Sequence, residues 1–421
     1  MSIQPIEKTR HSAQDNSLKE TIIFILFFVV SRLALLAIIG FLVKGRELSN
    51  DALIHLRISR EPFLQFMGLA PPGSTEEAYP PLLALFEGIF MSPLRLYLPD
   101  FYAVRLTFII YETLAAFLFC LTLRTLWVDK PRLRYWSLVG FILIPMGWMS
   151  TVIMPQDEVI SEVFLILVAW LVATQRQKTA LFVCGLAVIS AKIFFVIPLL
   201  ALILVPPRRE IGQRILIGFA PLLVIYGWTI IAQLLRGNSL LFEGFTPANS
   251  FCINIWVILV RNRWFTLEVA KSVSSLLALA GSLLTLAAFN WQRVQHTPLK
   301  IITLLLAMFL WVFAIFYHIN PEYYTIVLPL LLLIVSSKIE IILLSVFISI
   351  PWAVNLFDGV NRAIEGVQLE GRQGKTVFVK IYQSLFPVSP TVMQEISLWV
   401  SILFTLGIAI VTTRRLLSSR V

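Results

Sequence analysis

The chain has few charged residues and few cysteines. Only 14% of its 421 residues are Asp, Glu, Lys or Arg and 58% are hydrophobic, whereas ordinary soluble proteins carry about 25% charged residues. This composition excludes a soluble enzyme, a fibrous protein or a disordered tail for the bulk of the chain. The three cysteines lie far apart and none forms a CxxC pair, which argues against a disulfide framework and a cysteine-ligated metal site.

Long apolar runs recur along the whole sequence. A helix of about 20 apolar residues crosses a hydrocarbon core of about 30 Å, so the chain is predicted to be an all-α, polytopic transmembrane helical bundle. The first run is about residues 21–43, and the polar residues before it do not resemble a cleavable signal peptide. The later runs, which bring the total to about ten to twelve membrane segments, lie near residues 82–98, 102–127, 135–154, 159–174, 179–205, 215–235, 267–290, 301–316, 323–336, 339–357 and 394–413.

The distribution of Lys and Arg predicts the orientation, because cytoplasmic loops carry the excess of positive charge. One alternating set of segments holds 18 basic residues in 64 positions, and the other holds 11 in 113. The denser set includes both chain ends, so both termini are predicted to be cytoplasmic. The loops 44–79 and 358–393 are then extracytoplasmic. The net charge of +10 is explained by topology, and no nucleic-acid partner is predicted.

Two segments must return to the side from which they enter if this alternation is to hold. Residues 82–98 are predicted to form a short or surface-lying helix on the outer side. Residues 179–205, with Lys192 near their middle, are predicted to form a broken hairpin of two half-length helices. Irregular backbone at membrane depth is tolerated where protein or water covers it.

Three parts are predicted along the chain. Residues 1–20 form a cytoplasmic segment. Residues 21–336 form a membrane core that includes the outer loop 44–79. Residues 337–421 add C-terminal membrane helices and the outer loop 358–393.

Polar side chains collect at separate places on the predicted outer face. If Ser49 or Asn50 begins a short helix in the first loop, Asp51 and His55 share one face of it. Further carboxylates stand in the turn 154–158 and the turn 317–324, and Glu162 lies on the same helical face as Glu158. The candidate site residues are Glu47, Asp51, His55, Tyr79, Gln156, Asp157, Glu158, Lys192, His318 and Glu322.

Each of these residues has an ordinary structural alternative. Asp157 is suited to cap a helix, Asp51 to be a solvated loop residue, and Tyr79 to precede prolines at a helix start. Lys192 is a charge within an apolar run, and such charges mark functional sites by default. An aromatic belt at the membrane interface is favoured for three tyrosines: Tyr317, Tyr323 and Tyr324.

Five motifs follow one another in the chain: Asp51, Ala78-Tyr79-Pro80-Pro81-Leu82, Pro155-Gln156-Asp157-Glu158, the stretch from Cys184 to Lys192, and Tyr317-His318-x-x-Pro321-Glu322-Tyr323-Tyr324. In this order they resemble the GT-C superfamily of membrane glycosyltransferases, in particular the prokaryotic relatives of GPI mannosyltransferases and the polyprenyl-phosphate-mannose-dependent transferases. The resemblance covers about residues 21–336. The chain departs from the common pattern at Asn50, where many relatives have a second acidic residue, and at Pro155, where many have glycine.

The resemblance implies an inverting transfer of a sugar, a mannose-like hexose, from a polyprenyl-phosphate-linked donor to a hydroxyl of a lipid, glycan or protein. Asp51 would be the catalytic base. Arg57, Arg60, Lys192 or His318 would stabilise the departing phosphate, and the remaining candidate residues would bind substrate. Some relatives use a divalent cation and others do not, so Mg²⁺ or Mn²⁺ stays open, with Asp51 and Asp157 as candidate ligands.

Two other functions stay open. A transporter or lipid flippase would show charges near mid-bilayer in both halves and an internal repeat, whereas only Lys192 is found and no repeat is clear. A surface-polysaccharide polymerase or ligase usually depends on arginine-rich outer loops, and loop 358–393 has only Arg362 and Arg372. The compact loops favour the plasma (inner) membrane of a prokaryote, with a function in the cell envelope on the extracytoplasmic side.

Overall fold

The computed structural model describes residues 4–42, 50–66, 82–205, 208–235, 254–291, 297–364 and 388–418, and all regular structure within these ranges is helical. The predicted all-α class is confirmed. The α-helices are α1 Gln4–Leu42, α2 Asn50–Ile58, α3 Pro62–Phe66, α4 Leu83–Arg95, α5 Asp100–Leu126, α6 Pro131–Leu143, α7 Pro145–Trp148, α8 Glu158–Ala173, α9 Gln177–Ser190, α10 Val196–Leu204, α11 Ile211–Leu235, α12 Ile255–Arg261, α13 Leu267–Trp291, α14 Pro298–Ile315, α15 Tyr324–Ile334, α16 Lys338–Ile364 and α17 Pro390–Leu417.

Six segments of the described chain are long and apolar enough to cross a membrane, which makes the chain an integral membrane protein. They are Lys19–Leu42, Asp100–Leu126, Pro131–Ile153, Leu267–Trp291, Pro298–Ile315 and Pro390–Leu417. Three shorter apolar helices are Gln177–Ser190, Ile211–Ile225 and Pro321–Ile334. The ten to twelve segments expected from the sequence therefore include several that are too short to cross alone.

The helices pack through small residues as well as large ones. In a membrane, close van der Waals packing replaces much of the hydrophobic driving force, and glycine lets backbones approach. Gly185 of α9 lies so close to α11 that a Cβ there would sit 1.9 Å from the carbonyl oxygen of Gly218. Any larger residue at position 185 would push the two helices apart.

Residues 177–204 form the predicted broken hairpin. The helix α9 ends at Ser190, one 3₁₀ turn covers Ile193–Phe195, and α10 follows. Both arms lie against α11, because Gly185 of the first arm and Leu199 of the second both approach Gly218. The break expected near Lys192 is confirmed, and Lys192 lies at the tip of the hairpin.

The helix α4 is joined to this tip. It has 13 residues, which at 1.5 Å per residue is about 20 Å and too short to cross a membrane. The amide of Leu82 donates a hydrogen bond of 3.0 Å to the carbonyl oxygen of Ile189, and the hydroxyl of Tyr111 on α5 donates to the carbonyl of Phe86. The predicted short helix is confirmed, and its first turn lies beside Lys192.

The C-terminal helices pack directly on the core. The ammonium of Lys300 at the start of α14 donates to the carbonyl oxygens of Arg415, Leu416 and Ser418 at 2.8 to 2.9 Å. The indole of Trp311 donates to Thr413 at 3.0 Å. Residues of α17 therefore form part of the same helical body as α14.

Candidate functional site

The acidic turn, residues Met154–Glu158, leads into α8. Asp157 stands at the N-cap position, but its side chain makes no capping hydrogen bond. Its carboxylate instead lies 3.0 Å from the ammonium nitrogen of Lys192, and an oxygen of Glu158 lies 2.9 Å from the same nitrogen. Asp157, Glu158 and Lys192 thus form one group, the lysine cluster, and the capping alternative for Asp157 does not apply.

The late turn between α14 and α15 lies on the other side of Lys192. The Lys192 nitrogen is 5.3 Å from the ring centroid of Tyr323, and the His318 ring packs against the same tyrosine. Burial and the charge of Lys192 lower the pKa of His318 to about 4, so the imidazole is neutral near pH 7. Glu322 is buried in the 3₁₀ turn Pro321–Tyr323.

The segment that follows α1 in the chain reaches the same region through α2. This helix begins at Asn50, as expected. His55 lies with its Nδ1 2.8 Å from a carboxylate oxygen of Glu87 on α4, and both side chains are fully buried. Burial raises the pKa of Glu87, His55 opposes that rise, and Asp157 and Lys192 also act on the Glu87 carboxyl. The His55–Glu87 pair therefore borders the lysine cluster.

Three of the candidate residues are only partly described or not described. Asp51 lies one turn before His55 on α2, and the structure describes its backbone alone. Glu47 and Tyr79 lie outside the described residues. Gln156 is buried, and its backbone N–H donates a hydrogen bond to the carbonyl oxygen of Ser150 at 2.9 Å. The structure thus brings together candidates from the first loop, the acidic turn, the hairpin tip and the late turn.

Glu87 is a neighbour of this site that sequence reasoning did not select. Its signal was a carboxylate among mostly apolar residues in α4, and such residues in membrane segments are unfavourable unless they are paired. The pairing with His55 depends on how α2 packs on α4, which the sequence does not show.

A further buried ion pair connects α1 to α5. The guanidinium of Arg32 is bidentate to Glu112, with Nε and Nη2 at 2.7 to 3.0 Å, and its Nη1 donates to the carbonyl of Ile142 at 3.0 Å. The hydroxyl of Thr151 donates to Glu112 at 2.8 Å. These residues form the arginine cluster. Glu162, one helical turn after Glu158, is fully buried near Arg32 and Glu112 and borders the arginine cluster.

The prediction of an aromatic belt at the membrane interface is wrong for Tyr323 and Tyr324. Tyr323 and Tyr324 are buried, because α17 and the hairpin cover the start of α15. The hydroxyl of Tyr324 is hydrogen-bonded to Thr405 on α17, and Tyr323 packs against Phe194 beside the hairpin tip. Tyr323 is therefore part of the site wall.

The lysine cluster carries two carboxylates for one ammonium, so it offers oxygen acceptors that are suited to hydroxyl groups. Within the described ranges, no group of three or more His, Cys, Asp or Glu residues is arranged to hold a metal ion. Between the carboxylates of Asp157 and Glu158 lies the Lys192 ammonium. A divalent cation at this site would need a further oxygen ligand, and Asp51 is the candidate for it.

Comparison with solved structures gives a likeness in fold. No protein-family model and no curated protein sequence matches the chain. The fold is similar to that of ArnT from Cupriavidus metallidurans, in a crystal structure with undecaprenyl phosphate bound, at a TM-score of 0.50 and 15% sequence identity. The likeness covers 93% of this chain and 76% of ArnT. The polytopic helical membrane fold expected from the sequence is thereby confirmed, and the chain shares the fold of that structure.

Proposed function

We propose that the chain is a membrane glycosyltransferase that moves a sugar, a mannose-like hexose, from a polyprenyl-phosphate-linked donor to the hydroxyl of a lipid, glycan or protein acceptor. The observation that carries the proposal is the lysine cluster. Residues from the acidic turn and the hairpin tip, which are remote in sequence, hold two carboxylates against one ammonium in a fold shared with a protein that binds undecaprenyl phosphate.

The chemistry assigns a task to each side of the site. The acceptor oxygen attacks the anomeric carbon of the sugar, its proton passes to Asp51, and the bond to the phosphate oxygen breaks, so the configuration inverts and polyprenyl phosphate leaves. Asp157 and Glu158 orient sugar hydroxyls. Lys192, with the exposed Arg57 on α2 and the exposed Arg60 in the turn after it, offsets the charge that grows on the departing phosphate.

The direct test is transfer by purified protein in nanodiscs, with radiolabelled polyprenyl-phosphate sugars and a membrane-lipid extract. Asp51→Asn removes the base, and Asp129→Asn in the exposed turn after α5 is the matched control. We expect label in a new product with the unmodified protein and with Asp129→Asn, and none with Asp51→Asn. Full turnover in Asp51→Asn would remove Asp51 as the base.

The absence of both transfer and donor hydrolysis with every donor tested would contradict the proposed function. A vesicle flux assay with the same labelled donors then decides for a transporter. This outcome is distinct from failure of the Asp51 assignment, because the latter leaves transfer intact.

We also propose that the site opens on the extracytoplasmic face of a prokaryotic plasma membrane, with both termini in the cytoplasm. Cysteines in place of exposed Arg60 and Val128 test this in a Cys252→Ser background. A membrane-impermeant maleimide added to intact cells should label position 60 and leave position 128 unlabelled. The reverse pattern would invert the topology.

A further inference from the structure

The chain immediately before the acidic turn has an unusual backbone. Met149–Ile153 form a π-helix, a rare element that often marks functional sites. In a π-helix each carbonyl accepts from the amide five residues later, as Met149 does from Met154 at 2.8 Å. Pro155 has no amide hydrogen, so the carbonyl of Ser150 accepts from Gln156 instead, at 2.9 Å. The regular ladder ends there.

Arg105 of α5 satisfies carbonyls at the end of this π-helix. Its Nε donates to the carbonyl oxygen of Val152 at 2.8 Å, and its Nη2 donates to that of Ile153 at 3.3 Å. The guanidinium is buried and stacks on Phe101, with 3.8 Å from its carbon to the ring centroid. One side chain thus supplies two donors at the point where the chain leaves the helix.

The start of the π-helix is held by other contacts. Thr151 donates to Glu112 at 2.8 Å, and the hydroxyls of Ser150 and Thr325 are 2.7 Å apart. Loss of Arg105 should therefore release the end that continues into the acidic turn, while the start of the π-helix stays attached to α5 and α15.

We propose that Arg105 is a positioning residue that sets the acidic turn and thereby holds Asp157 and Glu158 against Lys192. Its effect on catalysis rests on the proposed function, whereas its effect on the turn does not. Burying an arginine in a membrane protein is energetically unfavourable. Its two hydrogen bonds to consecutive carbonyls fix the backbone at the point where the four residues before Glu158 begin.

Two variants and one control test this. Arg105→Gln removes the positive charge and the paired guanidinium donors. Arg105→Lys keeps the charge but cannot donate to both carbonyls in the same geometry. Arg124→Gln is the control on the same helix, since Arg124 donates to Thr21 at 2.7 Å at the other end of α5. The first measurement is amide hydrogen exchange in nanodiscs, and the second is transfer kinetics.

Exchange of the amides in 149–158 should become roughly tenfold faster or more in Arg105→Gln, because charged hydrogen bonds are lost locally. Arg105→Lys should fall between, and Arg124→Gln should match the unmodified protein in this segment. The kcat of transfer should fall about 100-fold in Arg105→Gln, as expected for carboxylates displaced by about 1 Å, with KM changed by less than about threefold.

Unchanged exchange in 149–158 would overturn the proposal, and so would faster exchange spread evenly over the whole chain. Faster local exchange with normal transfer would overturn the link to catalysis. If the unmodified protein transfers no sugar, the proposed function fails alone, and the exchange result still decides whether Arg105 holds the turn.

Discussion

The arginine cluster and the lysine cluster differ in how completely their charged groups are paired and buried. In the arginine cluster, both oxygens of Glu112 are engaged by one guanidinium whose remaining arm reaches the carbonyl of Ile142, and both side chains are at most 2% exposed. In the lysine cluster, one ammonium serves two carboxylates, and Lys192 remains 16% exposed.

Their places in the helices differ as well. Arg32 and Glu112 lie within the continuous helices α1 and α5, whereas Lys192 lies at a helix break and Asp157 in a turn. Breaks leave backbone and side-chain groups open to a ligand, and continuous helices do not. Burial and charge alone therefore do not distinguish a ligand-binding site from an ion pair that only stabilises the fold. The helix breaks and the remaining exposure of Lys192 do.

The largest effect is expected in the arginine cluster and concerns stability. Arg32→Met leaves the Glu112 carboxylate buried without its cation, which should cost about 3–5 kcal/mol of unfolding free energy. Arg32→Met combined with Glu112→Leu removes both charges and should recover most of this loss. Unfolding in mixed detergent micelles measures both variants. A single variant as stable as the unmodified protein would break the comparison.

The next effect is expected in the lysine cluster and concerns activity. Lys192→Met should lower kcat of transfer by about 10²–10³-fold, because the charge near the departing phosphate is lost. Lys192→Arg is the control that retains the charge. A large loss of unfolding free energy together with a normal rate of transfer per folded molecule would assign Lys192 a purely structural role.

A smaller effect should follow from the pair that borders the lysine cluster. Glu87→Gln keeps a hydrogen-bond acceptor for His55 but removes the charge, so α2 is held less firmly. We expect kcat to fall about tenfold, the value of one charged hydrogen bond, with partial recovery in Glu87→Asp. Steady-state kinetics would contradict this if only KM changed.

The smallest effect concerns pH. His318 has a pKa of about 4 in the folded chain, below its ordinary value of about 6.5. Between these values the unfolded chain binds the additional proton, so stability falls as pH falls through this window. We expect a loss of about 1 kcal/mol, allowing for solvent screening. His318→Asn should remove this part of the slope, and an unchanged slope would assign it to other groups.

The elements that the sequence predicts correctly depend on local signals. The length of α4, the break at Lys192 and the start of α2 at Asn50 each follow from apolar runs, an intramembrane charge or a capping residue. The nearness of the acidic turn and the late turn was expected from a shared membrane face, and the place of Lys192 beside them was expected from the family resemblance.

What the sequence does not show depends on which helices are neighbours. The Arg32–Glu112 pair joins residues 80 positions apart, and Arg105 acts on carbonyls 47 and 48 positions away. Glu162 shares a helical face with Glu158 but lies by the other cluster, because the neighbours of α8 change along its length. The burial of Tyr324 depends on α17 and that of Tyr323 on the hairpin, and both elements lie far from these tyrosines along the chain.

The most direct test of the central claim compares the two clusters in one transfer assay. Asp157→Asn and the double variant Arg32→Met with Glu112→Leu are assayed in nanodiscs beside the unmodified protein, with rates normalised to folded protein. The account predicts a loss of about tenfold or more in Asp157→Asn and a far smaller change in the double variant. Full activity in Asp157→Asn together with loss of activity in the double variant would contradict it.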